Sequence, residues 1–299
     1  MTITSTGQQK AHDQTRTIHP STRMGHVHYT TPDIDTQIAF YRDILGFKLH
    51  WREGDSAGLG AGKADLLRLT EDKNARRARR TTGLYHTAFL VPTRWDLAHL
   101  LKRIAETRTP IEGMTNHGTH YAIYLPDADE NGIELAWDFP KDQWPRTIQE
   151  MMARNRALPP AEVFRALNDS TDEWQGLDAG TQVGHVHLHV SRLPQTEQFY
   201  ADVLGFDKSM ELPDSATFFS AGGYHHHIGT NVWQGVGAPP PPANAIGLRY
   251  FSVILPDQAE LDRVVARLDT AGLTTASLDN GILVRDPAQN GVLLTVGTT

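Results

Sequence analysis

The chain has 299 residues, no cysteine, 39% hydrophobic and 21% charged residues, and a net charge of −7 from 28 Lys and Arg against 35 Asp and Glu. That size suits about two domains of ~150 residues or one large barrel, and the missing cysteine excludes disulfides, thiolate nucleophiles, zinc ribbons and iron–sulfur ligation, so any metal must be held by histidine and carboxylate. The acidic balance disfavours nucleic acid as a partner, and no apolar run approaches the ~20 residues of a membrane span.

Met1 to Pro20 is polar and lacks the apolar stretch of a secretory signal, which makes the cytosol the expected location. Gly25-His26-Val27-His28 opens an alternating strand. A helix follows, with Ile38, Tyr41, Ile44 and Leu45 at three- and four-residue spacing and Gly46 as its stop. Arg76 to Arg80 is a short basic cluster and reads as a solvated loop. Leu84 to Val91 reads as a strand. Thr93-Arg94-Trp95-Asp96 then caps a helix that places Leu97, Leu100, Leu101 and Ile104 on one face. Tyr121 to Leu125 and Ile133 to Trp137 read as strands, separated by the turn signal Asn131-Gly132. Residues 141–180 form a linker, with a helical stretch near Thr147 to Arg156 and a break at Pro159-Pro160.

Beyond the linker the pattern returns. Gly184 to Phe206 repeats Gly25 to Phe47 with 10 of 23 positions identical, and Leu248 to Leu255, followed by Leu261, Val264, Val265 and Leu268, repeats the second strand–helix pair. Pro239 to Pro242 marks a stiff extended connection. The unit is strand–helix–three strands, four times over. The expected class is α+β, with four βαβββ modules paired into two domains: 21–140 as an N-terminal metal-binding catalytic domain of modules one and two, and 181–299 as a C-terminal domain of modules three and four.

Non-haem Fe(II) enzymes that handle oxygen commonly hold the metal with two histidines and one carboxylate on one face. The N-terminal half offers His26 on the first strand of module one, and His86 and Glu134 on the first and last strands of module two. Closure of the two modules around a shared cavity is expected to bring the three together. His28 shares a face with His26 about 7 Å along the strand, so one of the two binds a given ion. A buried Glu134 needs a partner, which is either a metal or a cation at the strand edge. His120, Ala122 and Tyr124 share one face of their strand, which directs His120 into the pocket. In His225-His226-His227, alternation lets His225 and His227 cooperate at most, and a structural role is expected. Tyr121, Trp137 and the loop Gly54 to Gly62 are candidates for shaping the pocket.

Gly25-His26, Pro32-Asp33 and Phe40-Tyr41-Arg42-Asp43-Ile44-Leu45-Gly46-Phe47 resemble the opening of a module of the vicinal oxygen chelate superfamily, which includes glyoxalases, bleomycin- and fosfomycin-resistance proteins and extradiol dioxygenases. Thr115-Asn116-His117, Ile123-Tyr124, Asp127 and Glu134 are similar in spacing to the extradiol dioxygenase signature. Ala128 stands where that signature usually has Pro, and Glu130 where it has Gly or Pro. The resemblance covers nearly the whole chain and is nearest to the two-domain catechol 2,3-dioxygenase branch. It implies an enzyme that uses Fe(II), with Mn(II) as the alternative, and O₂ to open a catechol-like aromatic diol beside its hydroxyls. His117 and Tyr124 would be catalytic, and His120 and Tyr124 would contact substrate. Better-known members carry the working metal in the C-terminal domain, whereas here the expected set is N-terminal: Tyr250 stands where His86 does and Leu293 where Glu134 does, leaving only His185 in the second half. A homo-oligomer is left open. The rival functions on this scaffold are a glyoxalase-type metal-dependent lyase or isomerase, which commonly adds a fourth protein ligand, and a metal-free small-molecule (antibiotic) binding protein.

Overall fold

A computed structural model describes residues 16–169 and 173–297. Module one comprises β1 (Arg23–Thr31), α1 (Ile34–Ala39), β2 (Lys48–Glu53), β3 (Ser56–Gly60) and β4 (Asp65–Glu71). Module two comprises β5 (Gly83–Leu90), α2 (Arg94–Glu106), β6 (Gly113–Asn116), β7 (His120–Pro126) and β8 (Gly132–Asp138). The connecting segment carries α3 (Ile148–Arg154), β9 (Arg156–Ala157) and α4 (Pro160–Phe164). Module three follows with β10 (Gln182–His189), α5 (Leu193–Glu197), β11 (Asp207–Leu212), β12 (Ala216–Ser220) and β13 (Ile228–Asn231). Module four has β14 (Gly247–Leu255), α6 (Gln258–Thr270), β15 (Thr275–Leu278), β16 (Gly281–Arg285) and β17 (Gly291–Val296). The α+β class and the fourfold βαβββ plan are as the repeat predicts.

Local chemistry sets the element ends. Thr93 and Asp96 form a reciprocal capping box at α2, and Asp257 caps α6 through Glu260 N. In modules one and three the short helix runs on into a π-helical turn, Phe40–Ile44 and Gln198–Val203. Gly46 and Gly205 then leave it at φ +77° and +90°, a backbone region that glycine enters without steric cost.

The pairing of modules differs from the expectation. One eight-stranded sheet runs β15-β16-β17-β14-β1-β4-β3-β2 and joins module four to module one; the other, nine-stranded, runs β11-β12-β13-β10-β5-β8-β7-β6-β9 and joins module three to module two. The first strands make the joints, β1 antiparallel to β14 and β5 antiparallel to β10. Each sheet therefore draws one module from each half of the chain, and modules one and two do not share a sheet.

The halves 21–140 and 181–299 are nevertheless tied internally, and identically. Tyr41 donates to Asp127 Oδ2 at 3.1 Å and Tyr200 to Asp286 Oδ2 at 3.0 Å, so the helical segment of one module is pinned to the last turn of the next. Around the first pin, Tyr41, Phe47 and Phe89 pack edge-to-face with centroids 5.0 to 6.2 Å apart. Repeat-related modules have near-equivalent first strands, so apolar patterning does not distinguish β1–β14 from β1–β5 pairing. Both joints pack closely: a Cβ on Gly25 would run into Ser252 Oγ of β14, and one on the repeat-related Gly184 would press on Leu90 of β5.

The segment 141–180 is more than a linker. β9 adds a ninth strand beside β6, and α3 lies over the open face of the second sheet. Among the described residues, no helix is long and apolar enough to cross a membrane.

Candidate metal centre

The centre of the nine-stranded sheet carries the site. β5 lies between β10 and β8, with His86 opposite His187 of β10 and Ala88 opposite Glu134 of β8. These registers put His86, Glu134 and His185 on one face of three adjacent strands. Their exposures are 6%, 1% and 2%. Glu134 Oε2 lies 3.1 Å from His86 Nε2 and 3.1 Å from His185 Nε2, and the two nitrogens are 3.4 Å apart. Donor atoms around a first-row divalent ion with bonds of about 2.1 Å stand roughly 3.0–3.4 Å from one another, so this triangle has the dimensions of one face of a coordination shell.

The metal set expected from the sequence is thus corrected at one member. His26 lies on β1 in the other sheet, with its Nε2 3.5 Å from Tyr250 Oη and its ring edge-on to Tyr250 at 5.6 Å. His185, the copy of His26 in the second half, takes the place expected for it beside His86 and Glu134. The reason is the sheet pairing: module two closes on module three, and module one on module four. His28 does not substitute for His26, since its Nε2 bonds Thr70 Oγ1 at 2.8 Å. In the first sheet the pseudo-equivalent positions are His26, Tyr250 and Leu293, without a carboxylate. Asp65, on that sheet's β4, is instead taken up by His50, Trp51 and Arg68 at 2.9 to 3.1 Å.

Around Glu134 the other expected residues do gather. Tyr124 is directly opposite Glu134 in the β7–β8 register, and its hydroxyl is 2.8 Å from His117 Nε2. His120 enters the cavity as alternation requires, but it faces the carboxylate: Nε2 is 3.0 Å from Glu134 Oε1, and Nδ1 is 2.8 Å from Thr119 Oγ1. Glu134 therefore has one oxygen tied to His120 and the other free to face His86 and His185.

The histidine triplet differs from the expectation. Residues 221–227 form a loop rather than a strand, so alternation does not govern it, and adjacent His225 and His226 both line the cavity. His225 stacks on His120 with centroids 4.9 Å apart and bonds Asp138 Oδ1 at 3.1 Å, while the His226 ring is 4.1 Å from that of His185. His227 turns away and its Nδ1 accepts from Ala221 N at 3.1 Å. The signal lay in the three consecutive histidines, but strand alternation sends neighbouring side chains to opposite faces, and a loop does not. Tyr121 and Trp137 pack on each other at 5.7 Å and do not line the cavity, and the loop Gly54 to Gly62 belongs to the first sheet.

Burial alone would raise the Glu134 carboxyl, but the neighbouring His185 and hydrogen bonds from His120, His185 and His86 hold it well below the usual range. Burial lowers His86, and it lowers His117 to about 4, with His120 adding to the effect. Burial would also lower His120, yet its hydrogen bond to Glu134 and that residue's charge raise it. The result is an ionised carboxylate facing neutral His86, the protonation states a metal ligand requires. The donor set thus fits a divalent ion.

The chain departs from the dioxygenase signature at the turn before Glu134, and the structure shows how the turn survives. Glu130 occupies a left-handed position, φ +60°, where the signature has Gly or Pro. Asp127 Oδ1 accepts from Asp129 N and Asn131 N at 2.9 and 2.8 Å, and Asn131 Nδ2 donates to Oδ2 at 2.9 Å. The same network recurs at Asp286 and Asn290, with Gln289 at φ +69°.

These features define a class, and comparison with known proteins agrees. The family model of the Glyoxalase/Bleomycin resistance protein/Dioxygenase superfamily matches residues 23–136 and 182–291, and the chain belongs to that superfamily. It is 39% identical over 281 residues to catechol-2,3-dioxygenase of Bacillus subtilis strain 168, covering 92% of this chain and 98% of that one. Among solved structures, a Bacillus subtilis protein provisionally named as a dioxygenase superposes with a TM-score of 0.65 at 11% identity, over 95% of this chain and 87% of its own. Glyoxalase I from Zea mays superposes at 0.56 with 17% identity, over 92% of each chain. At those identities the solved structures speak for the fold.

Proposed function

We propose that this protein is an extradiol ring-cleaving dioxygenase in which His86, Glu134 and His185 hold Fe(II), with Mn(II) as the alternative ion, and that it opens a catechol-like diol with O₂. The observation that carries this reading is the three-member donor set, opposite which the described residues place no second carboxylate. In module two, Glu134 faces Ala88, two residues beyond His86; in module three the matching position, opposite His187 two residues beyond His185, is Gly229. A lyase-type site that recruits a second carboxylate there would find no side chain. Three protein ligands leave room for a chelating diol and O₂ on the same ion. The relative named catechol-2,3-dioxygenase, 39% identical over nearly the full length, supports the same choice.

The ion, when bound, would supply the positive charge that favours a catecholate and the redox chemistry with O₂. Cleavage next to the two hydroxyl-bearing carbons places both oxygen atoms in the product and needs no external reductant. The chain's own groups handle protons and shape. Burial keeps His117 neutral, and its Nε2 is bonded to the Tyr124 hydroxyl at 2.8 Å; the hydroxyl bonds a substrate oxygen and passes the proton between that oxygen and His117 Nε2. The Trp144 and α3 side of the cavity, with Ile148 and Met151, excludes water. The reading is tested by anaerobic reconstitution with Fe(II), addition of catechol and then air. Oxygen uptake with a yellow ring-opened product is expected; no uptake across several diols defeats it.

A further inference from the structure

The cavity over Glu134 measures about 530 Å³, a volume suited to a ligand well beyond a single six-membered ring. Ile148 and Met151 of α3, Met210 of β11 and Phe218 of β12 give it apolar surface for a ring and a short aliphatic spacer. One carboxylate and one guanidinium line it: Glu134, which is buried, and Arg146, which is exposed at the entrance. The carboxylate is consumed by the ion. A divalent ion on Glu134 keeps one residual positive charge, and a singly ionised diol cancels it, so the Arg146 charge is left without a counterpart.

The chain itself does not use that charge. Glu150, four residues on, spends its Oε2 on the backbone N–H of Arg146 at 2.8 Å, and the guanidinium makes no hydrogen bond or ion pair with a described residue. Later arginines of the same segment are committed: Arg154 donates to Gln143 O at 2.8 Å, and Arg156 is paired with Glu162 at 2.9 and 3.0 Å. The backbone that carries Arg146 is fixed from Trp144. The Trp144 indole donates to Phe139 O at 2.7 Å, and its ring lies 5.2 Å from that of His225, which stacks on His120. Arg146 is therefore held beside the wall that orients Glu134, with its five N–H donors open to an incoming group.

We propose that Arg146 determines specificity by receiving a carboxylate on a substituent that the diol's ring extends toward the cavity entrance. The inference rests on the ring-cleavage reading and narrows it to acidic catechols. A guanidinium meets a carboxylate in two parallel charge-assisted hydrogen bonds, which an uncharged amide of the same shape does not match in strength.

Isosteric pairs read the charge and its reach: 3,4-dihydroxybenzoate, 3,4-dihydroxyphenylacetate and 3,4-dihydroxyphenylpropionate, each beside its primary amide, with plain catechol as reference. Dissociation constants are measured by anaerobic calorimetry on the Mn(II)-loaded full chain, without turnover. For the pair whose length fits, the amide-to-acid ratio of dissociation constants should be about 3–10-fold higher in the wild type than in Arg146→Gln, between the effects of an exposed and a desolvated ion pair. Comparing ratios cancels the effects of the ion and of ring electronics, which the variant leaves in place. Arg146→Lys should keep part of the difference, raising salt from about 20 to about 300 mM should shrink it, and plain catechol should bind wild type and variants within about twofold. Ratios that are equal in wild type and Arg146→Gln for all three pairs would overturn the assignment, as would an equal loss of affinity for plain catechol in the variant. Failure of plain catechol to bind the wild type would instead overturn the ring-cleavage reading on which the assignment depends.

Discussion

Removal of the His120 imidazole tests how the carboxylate at the centre of the site is held. His120 Nε2 lies 3.0 Å from Glu134 Oε1, its Nδ1 is anchored on Thr119 Oγ1 at 2.8 Å, and its face is covered by His225 at 4.9 Å. Facing an ionised carboxylate, Nε2 carries a proton and donates to Oε1, which leaves Oε2 toward His86 and His185. In His120→Ala that charge-assisted hydrogen bond disappears and Oε1, on a residue 1% exposed, loses its donor. Such a bond contributes about 1.5–3 kcal/mol, and loss of a group that orients a metal ligand lowers affinity by roughly 10–100-fold. The assay is competition between the protein and a chelating dye for Mn(II), alongside the melting temperature of the metal-free protein. The account predicts affinity weaker by about 10–100-fold, with part restored in His120→Gln. If the metal-free protein melts lower while affinity stays within about threefold of wild type, His120 acts only on packing and the reasoning fails.

The remaining predictions touch separate parts of the structure. Tyr124→Phe removes the 2.8 Å bond to His117 and should lower turnover by about 10–100-fold while leaving Mn(II) affinity within about twofold, checked by oxygen uptake and dye competition. Burial, reinforced by Arg68, lowers His26 from 6.5 to about 4, so the unfolded chain takes up a proton at this site that the folded chain refuses. Stability should therefore fall as pH drops from 6.5 toward 4, by an amount on the order of 1–3 kcal/mol from this residue, and the slope of unfolding free energy against pH should be shallower in His26→Gln. An identical slope in the variant contradicts the assignment. Glu130→Gly relieves a non-glycine residue at φ +60° and should stabilise the protein by about 1 kcal/mol in urea unfolding; destabilisation would mean that the exposed ion pair with Arg77 outweighs the backbone strain.

Much of this architecture was legible because local signals and the repeat agree. The Thr93–Asp96 cap, the Gly46 exit and the turn before Glu134 all follow from short-range chemistry, and the repeat of Gly25 to Phe47 at Gly184 to Phe206 announces the modular plan. His86, Glu134, His117 and Tyr124 belong to one module, so their proximity depends only on contacts within it. The third member of the triangle depends on which module closes against that one. His26 and His185 are copies of the same position, and nothing in their neighbouring residues says which of them β5 will meet. That choice is made by strand pairing across the chain, β5 with β10 and β1 with β14, a long-range property that periodicity does not report. The histidine triplet failed for a different reason: alternation holds in a strand, and residues 221–227 are a loop.

The most direct test of the account is the metal content of two repeat-related variants. His185→Ala and His26→Ala are loaded with Fe(II) anaerobically, desalted, and measured for iron per chain by mass spectrometry, with circular dichroism verifying the fold. The account predicts that His185→Ala loses the ion and His26→Ala keeps about one per chain. Retention of iron in His185→Ala together with its loss in His26→Ala would contradict it.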